Sequence, residues 1–135
     1  MVKEFKRPGR AGGGGFYEYP KEGRKYLWPE LAKVFGRTGV TWDIEELKDR
    51  ILYRQAIETA RCFDEGVLTT AHDANIGSIY GIGFPAWTGG AVQFINHVGA
   101  AKFAARAEEL AKKHGERFVP PMILRDKAAK GEQFR

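Results

Sequence analysis

The sequence is short of the residues that disulfide-linked and membrane-spanning folds require. Only one of its 135 residues is cysteine, Cys62, so no intrachain disulfide is possible and a reducing cytoplasm is the expected compartment. No apolar run approaches the ~20 residues that a helix needs to cross a bilayer. The polar, glycine-rich N-terminus also lacks the apolar stretch of a signal peptide. The sequence therefore predicts a soluble, cytoplasmic protein with no membrane span.

The sequence offers no metal site and no activated nucleophile. Its three histidines, His72, His97 and His114, fall in separate segments, with no second His or Cys at the spacing of metal ligands. Cys62 lies beside the predicted apolar stripe of a helix, and no base is visible near it in the sequence. It is therefore interpreted as a packed, inert thiol. We predict neither catalytic residues nor metal ligands in this chain.

Two glycine-rich segments invite comparison with nucleotide-binding loops. A dinucleotide fingerprint needs a strand before it and a helix after it, so that the pyrophosphate meets the helix N-terminus. Residues 12–15 have neither flank, and Gly77, Gly81 and Gly83 fail the same test. No cofactor-binding residue is therefore predicted in this chain.

The positive charge is concentrated at the front of the chain. Residues 1–40 hold nine Lys or Arg and four Asp or Glu, whereas the rest holds thirteen of each. A basic flank can attract phosphate, either of nucleic acid or of a coenzyme. No aromatic-interleaved recognition motif accompanies it, so a solvated segment is favoured and no nucleic-acid partner is predicted.

The hydrophobic pattern predicts an all-α fold, a small orthogonal helical bundle with an irregular N-terminal tail. Residues 1–25 are rich in Gly and Pro, and only Phe16 to Tyr19 favour a short extended piece. No β pattern of any length is found. Five helices are predicted after a brief one over residues 30–35: from Asp43 to Glu65, over residues 70–80 with Gly81 as its end, over Ala91–Val98, over Ala100–His114 and from Arg125 to Lys130.

The helix from Asp43 to Glu65 is expected to be the spine of the bundle. Its N-cap is predicted to be Thr41 or Asp43, and Gly66 is its expected stop. Ion pairs are predicted between Arg54 and Glu58 and between Arg61 and Glu65. The predicted buried stripe consists of Ile51, Leu52, Ala56, Ala60 and Phe63. On the next helix, Gly77 is expected to let the backbone approach a neighbour closely.

Residues 81–90 are predicted to form a structural or interface loop. The segment mixes four glycines with two large aromatic residues, Phe84 and Trp87, and such a flexible chain needs buried aromatic area to hold one conformation. Both rings are therefore predicted to be anchors, and the alternative is that both lie on the surface awaiting another domain. The loop residues singled out are Gly81, Gly83, Phe84, Pro85, Trp87, Gly89 and Gly90.

Residues 74–90, which read ANIGSIYGIGFPAWTGG, closely resemble a segment of the multifunctional fatty-acid β-oxidation enzymes. Those long enzymes join an enoyl-CoA hydratase domain to a 3-hydroxyacyl-CoA dehydrogenase. Further stretches are similar to the same family in the same order: GRAGGGGFYEY at 9–19, LYRQA at 52–56, LRD at 124–126 and GEQF at 131–134. Together they span nearly the whole chain.

The resemblance implies an organisation in three parts. Residues 1–25 would be the tail of a preceding helical domain, residues 26–40 a connecting segment and residues 41–135 the C-terminal helical domain of the 3-hydroxyacyl-CoA dehydrogenase type. The parent enzyme would use NAD and an acyl-CoA substrate, with its catalytic residues in upstream domains. This segment would support domain packing and the substrate cleft, and its partners would be the upstream domains. The alternatives are a stand-alone acyl-CoA-binding or interaction module and a small basic nucleic-acid-binding protein.

The sequence departs from the family at three positions. The family usually has Asp where Asn75 stands, a second Pro where Ala86 stands, and often Asp where Asn96 stands. Losing carboxylates at two sites is expected to weaken a helix cap or a salt bridge to another domain, and the fold prediction is unchanged.

Overall fold

The computed structural model describes all residues, Met1–Arg135, and its contacts divide them into two compact units, Met1–Trp42 and Asp43–Arg135. The predicted all-α class is confirmed. The assignment of residues 1–25 to a preceding domain stays a prediction. The α-helices are α1 (Val2–Phe5), α2 (Leu31–Phe35), α3 (Ile44–Asp64), α4 (Ala71–Ile82), α5 (Ala91–Val98), α6 (Ala100–His114) and α7 (Met122–Lys130). Single 3₁₀ turns occupy Arg10–Gly12, Ala86–Thr88 and Glu116–Phe118.

The first unit contains a small antiparallel hairpin that the sequence pattern did not predict. Strand β1 (Tyr17–Glu18) lies within the extended piece predicted over Phe16 to Tyr19, which is confirmed, and it pairs with β2 (Tyr26–Leu27), a strand that was not predicted. Two-residue strands are too short to produce an alternating pattern in the sequence. The hairpin is instead held by contacts with Arg7, which lies outside it. The guanidinium of Arg7 donates from Nε to the Gly15 carbonyl at 2.8 Å and pairs through Nη2 with Glu18 at 2.9 Å.

The first unit has no buried hydrophobic side chain. Its only buried residues are Gly14 and Gly15. A half-buried aromatic cluster takes the place of a core: the Phe5 ring lies 5.5 Å from that of Trp28 and 5.7 Å from that of Phe35. Little apolar area is therefore removed from water in this unit, and its conformation depends largely on polar contacts.

Helix α3 begins and ends at the expected places. The carboxylate of Asp43 accepts hydrogen bonds from the backbone N–H groups of Glu45 and Glu46 at 2.9 and 3.2 Å, which satisfies two of the free donors at the helix start. The chain leaves the helix through Gly66, whose φ of +70° suits glycine.

The buried stripe of α3 is rotated from the one predicted. Ile51 was expected inside but is 62% exposed, whereas Tyr53 and Ile57 are buried together with Ala56 and Ala60. The reason is an aromatic contact that the periodicity does not specify, because the Tyr53 ring stacks on that of Phe103 in α6 at 4.1 Å. The predicted Leu52 and Phe63 are only partly buried.

One predicted ion pair on α3 is confirmed and the other is wrong. Glu58 accepts from Arg54, as expected, and also from Arg61 at 2.8 Å. Arg61 therefore does not pair with Glu65, which lies at the C-cap, outside the regular helix.

In the second unit, α5 and α7 pack against α3, α6 packs against α7 and α5, and α4 packs against α5. Phe103, Ala107 and Leu110 point inward from α6 and are buried. Polar contacts at the edge of the core fix the same helix: Arg106 bonds Asp49 at 2.8 Å, and Lys113 bonds Glu46 at 2.7 Å.

The last residues of the chain close the second unit. Phe134 is buried, and its ring lies 5.4 Å from that of Phe63. The side-chain amide of Asn96 donates to the Phe134 carbonyl at 3.0 Å and accepts from its N–H at 2.9 Å. A carboxylate at position 96 could accept from the Phe134 N–H but could not donate to its carbonyl. The amide, at a position where the family often has Asp, therefore makes a hydrogen bond that Asp could not make.

No helix in this structure combines the length and the apolar character that crossing a bilayer would take.

Candidate docking surface

Helix α4 has a buried face and an exposed face that carries large apolar side chains. Ala71, Ala74 and Ser78 face the interior and are buried. Ile76 and Tyr80, one turn apart on the other side, are exposed, and the Tyr80 side chain reaches 84% exposure. The first turn of α4 also exposes His72 and Asp73, so the large apolar side chains without a partner in this unit lie in its later turns.

The loop that follows α4 divides its two aromatic residues between interior and surface. Phe84 is 2% exposed, and its ring lies 5.9 Å from that of Phe94, so its predicted burial is confirmed. Trp87 is 83% exposed, so the prediction that it is a second internal anchor is wrong. The cause is the 3₁₀ turn Ala86–Thr88, which turns the chain between Phe84 and the start of α5 and leaves the indole outside. The other two tryptophans are not buried either, and Trp28 is half-buried while Trp42 is exposed.

Three side chains pin the loop to its neighbours. The hydroxyl of Ser78 accepts from the N–H of Ala91 at 3.0 Å, and Asn75 Oδ1 accepts from the N–H of Gln93 at 3.0 Å. The hydroxyl of Thr88 donates to the Pro85 carbonyl at 2.7 Å. The amide at position 75 therefore caps the start of α5, where a carboxylate could accept in the same way.

The glycines of this region act at positions other than those predicted. Gly81 does not end α4 but lies inside it, and Gly83, with a φ of +71°, is the residue that ends the helix. Gly77 makes no close approach, because a Cβ there would meet nothing within 4 Å. The close contact is instead at Gly90, where a Cβ would come within 2.5 Å of Asn75.

The exposed apolar residues lie in a part of the chain that carries no formal charge. No Asp, Glu, Lys or Arg occurs between Asp73 and Lys102. Charged residues are depleted at the centres of protein interfaces, while large aromatic residues are enriched there. We define the α4 docking surface by its exposed large side chains, Ile76, Tyr80, Ile82 and Trp87. The charge-free run is the sequence signal that would have identified it.

A groove of about 580 Å³ lies between α3 and α4, beside the α4 docking surface. The cations and anions at its rim largely compensate each other, because Arg54 and Glu58 are paired. Inside it, Gln55 Oε1 is buried without a hydrogen-bond partner. The apolar lining comes from Cys62, Val67, Leu68, Ala74, Gly77 and Ile82.

The titratable residues considered in the sequence lie apart from one another. His72 and His97 are exposed, and no group of three His, Cys, Asp or Glu side chains converges on one point. His114 contacts Glu46 Oε1 at 3.0 Å. Hydrogen bonds from Lys113 and His114 lower the pKa of Glu46 from 4.5 to about 2. This cluster joins α3 to the end of α6.

The glycine-rich segments do not have the geometry of a dinucleotide site. Residues 12–15 form the end of a 3₁₀ turn and isolated bridges, in which Gly14 faces Gly9 and Glu18. Gly83 ends a helix and does not precede one. A pyrophosphate needs a helix N-terminus directly after such a loop, so these residues do not fit NAD.

Two curated proteins similar to this chain are each described as the fatty acid oxidation complex subunit alpha. The Shewanella amazonensis protein is 35% identical over 131 residues, which cover 95% of this chain. The protein of Pseudomonas savastanoi pv. phaseolicola is 35% identical over 138 residues, which cover 97%. No family model matches the chain. The match takes up 19% of each relative's length, so the chain corresponds to a segment of those subunits, and the predicted relationship to the fatty-acid β-oxidation enzymes is confirmed.

Proposed function

We propose that this chain is a non-catalytic helical domain of a multifunctional fatty-acid β-oxidation enzyme, and that it packs against other domains of that enzyme. The proposal is supported by the match to a segment of the fatty acid oxidation complex alpha subunit. The observation that carries the packing role is the α4 docking surface, which is apolar, uncharged and open to solvent in this unit. A surface of this kind is typical of a protein interface.

The parent enzyme's chemistry belongs to its other domains in this proposal. We infer that the parent is an NAD-dependent 3-hydroxyacyl-CoA dehydrogenase that acts on acyl-CoA, in a reducing cytoplasm that suits the unpaired Cys62. The NAD that such an enzyme binds would supply hydride transfer there, and no residue of this chain is given a step in it. The contribution of this chain is to bury a partner's apolar face and to exclude water from it.

The first test is activity of the isolated chain. It should give no NAD reduction with a 3-hydroxyacyl-CoA and no hydration of an enoyl-CoA, since neither reaction is assigned to its residues. Measurable turnover above a mock preparation would overturn the assignment of chemistry to other domains.

The second test places the chain in a full-length context. In a chimera, this chain replaces the matching segment of the Shewanella amazonensis alpha subunit, and dehydrogenase activity and melting temperature are measured. Tyr80→Glu and Trp87→Glu should each lower both values, because each buries a charge in the proposed interface. Ile51→Glu is the matched control, since Ile51 is an exposed apolar residue of α3 outside the α4 docking surface. Equal effects of all three changes would contradict the proposed interface.

A second candidate function is binding of an acyl chain in the groove between α3 and α4. Its volume of about 580 Å³ and mainly apolar lining are what favour this function. An acyl-CoA should then raise the melting temperature of the chain, while CoA alone should not. Gly77→Leu should abolish the shift by filling the groove. An unchanged shift in that variant would exclude the groove.

A further inference from the structure

The first unit has a positively charged cavity that the proposed packing function does not use. The cavity has a volume of about 570 Å³ and is lined by Arg10, Tyr19, Pro20, Gly23 and Lys25. No carboxylate belongs to this lining, so its two cations, Arg10 and Lys25, face the cavity without an acidic neighbour in its wall.

None of the four carboxylates of the unit, Glu4, Glu18, Glu22 and Glu30, forms an ion pair with these two cations. Glu18 is held by Arg7 at 2.9 Å, and Glu30 is held by Lys33 at 3.0 Å. Neither Arg10 nor Lys25 takes part in an ion pair. Two cations that share one concavity without a counter-ion raise the local potential and attract an anion.

Each of the two cations rests on an aromatic ring. The Arg10 guanidinium carbon lies 5.9 Å from the Tyr19 ring centroid, and Lys25 Nζ lies 4.7 Å from that of Tyr17. A cation–π contact uses the ring face and leaves N–H donors of the cation directed elsewhere. Contact with a ring also reduces the rotamer freedom that an exposed Arg or Lys would lose on binding a ligand.

We propose that this cavity binds the phosphate groups of a small ligand, with Arg10 and Lys25 as the donors and the Tyr19 ring as a stacking surface beside them. Guanidinium and ammonium groups are the side chains that recognise phosphate oxygens. The shared chemistry is phosphate, which could come from a nucleotide-type ligand or from free polyphosphate. A concavity with only two cations in its lining suits a small ligand better than a nucleic-acid strand, which requires a basic surface along its length. The proposal does not depend on the packing function, because its residues all belong to the other unit.

The test is isothermal calorimetry, in which the full chain is titrated with inorganic pyrophosphate and, separately, with ADP. The double variant Arg10→Gln with Lys25→Gln should weaken pyrophosphate binding by about tenfold or more, since two charge-assisted contacts are lost. Lys3→Gln with Lys33→Gln is the matched control, because it removes the same charge from the same unit outside the cavity. Its affinity should stay within about twofold of the unchanged chain.

The affinities for ADP and for pyrophosphate show whether the phosphate comes from a nucleotide or from free polyphosphate. If ADP binds more tightly than pyrophosphate and Tyr19→Leu removes that difference, the site is for a nucleotide. Equal affinities identify a site for free polyphosphate. The proposal is overturned if the two double variants weaken binding equally, which would indicate diffuse charge attraction, or if pyrophosphate does not bind at millimolar concentration. It is also overturned if single-stranded DNA binds more tightly than pyrophosphate and the cavity variant weakens that binding, which would make the two cations part of a nucleic-acid surface.

Discussion

Truncating Phe84 tests whether the loop after α4 is held by its single buried ring. Phe84 is 2% exposed and packs against Phe94, and four glycines lie in or next to its loop. Replacing a buried Phe by Ala costs about 3–5 kcal/mol, the lost transfer energy plus a cavity. For a domain of this size, ~1 kcal/mol lowers Tm by roughly 4–8 °C, so Phe84→Ala should lower Tm by at least about 12 °C.

The assay is thermal unfolding of the isolated chain followed by circular dichroism, and Trp87→Ala is its control. The two rings lie three residues apart in one loop, but Trp87 is 83% exposed. Truncation at the surface changes stability by less than about 0.5 kcal/mol, so Tm should move by only a few degrees. A similar, large loss of Tm in both variants would refute the conclusion that Phe84 anchors the loop and Trp87 does not. A small loss in both would refute the role of Phe84.

Three further outcomes follow from contacts in the second unit. The pKa of Glu46 is lowered to about 2, so its stabilising contacts are complete above pH about 4.5 and are lost as the pH falls toward 2. The Tm of Glu46→Gln should therefore fall less steeply than that of the unchanged chain over the same pH range. Asn96→Asp removes the donor to the Phe134 carbonyl, and urea unfolding should give a loss of roughly 1–3 kcal/mol, whereas an unchanged midpoint would contradict the clamp. Gly90→Ala should destabilise the fold by about 2–4 kcal/mol, because φ is +110° and the added methyl group would meet α4. Gly77→Ala, in open space within a helix, should stabilise it by ~0.5–1 kcal/mol. If calorimetry finds Gly77→Ala to be the more destabilising change, Gly90 is not the glycine in close contact.

The features that sequence predicted well are those with a local cause. Asp43, one of the two predicted caps, caps α3 through its own side chain, and Thr70 caps α4 in the same way. The bounds of α5 and α6 were predicted to the residue, because Gly90, Gly99 and Gly115 flank them with backbone angles that glycine favours. Caps and glycine stops act within a few residues, so a single sequence contains them.

The features that could not be predicted from the sequence depend on residues far apart in the chain. The β1–β2 hairpin is tied by Arg7, which reaches residues eight or more positions away. The clamp between Asn96 and Phe134 spans 38 positions. The rotation of the α3 stripe follows from the stacking of Tyr53 on Phe103. Periodicity identifies an apolar face only to within a residue or so, and the partner that is packed on it decides which side chain is covered.

For the candidate site, the sequence identified the right segment but not which of its rings faces outward. Residues 74–90 were singled out by resemblance, and they contain all four residues of the α4 docking surface. Burial of Trp87 was predicted because a ring in a flexible loop usually anchors it. The 3₁₀ turn that exposes the indole has no distinct sequence signature, since its residues, Ala86, Trp87 and Thr88, are not specific to one turn type.

The lack of formal charge between Asp73 and Lys102 fixes how any association through the α4 docking surface responds to conditions. With no titratable acid or base apart from Tyr80 and His97 in this run, the affinity there is set by apolar burial, which gives a negative heat-capacity change on binding. Added salt should strengthen such a contact slightly or leave it unchanged, because there is no ionic attraction to screen. Cooling should weaken it, since the apolar driving force declines at low temperature. A complex made through this surface would therefore be held more firmly at growth temperature than in a cold, low-salt buffer.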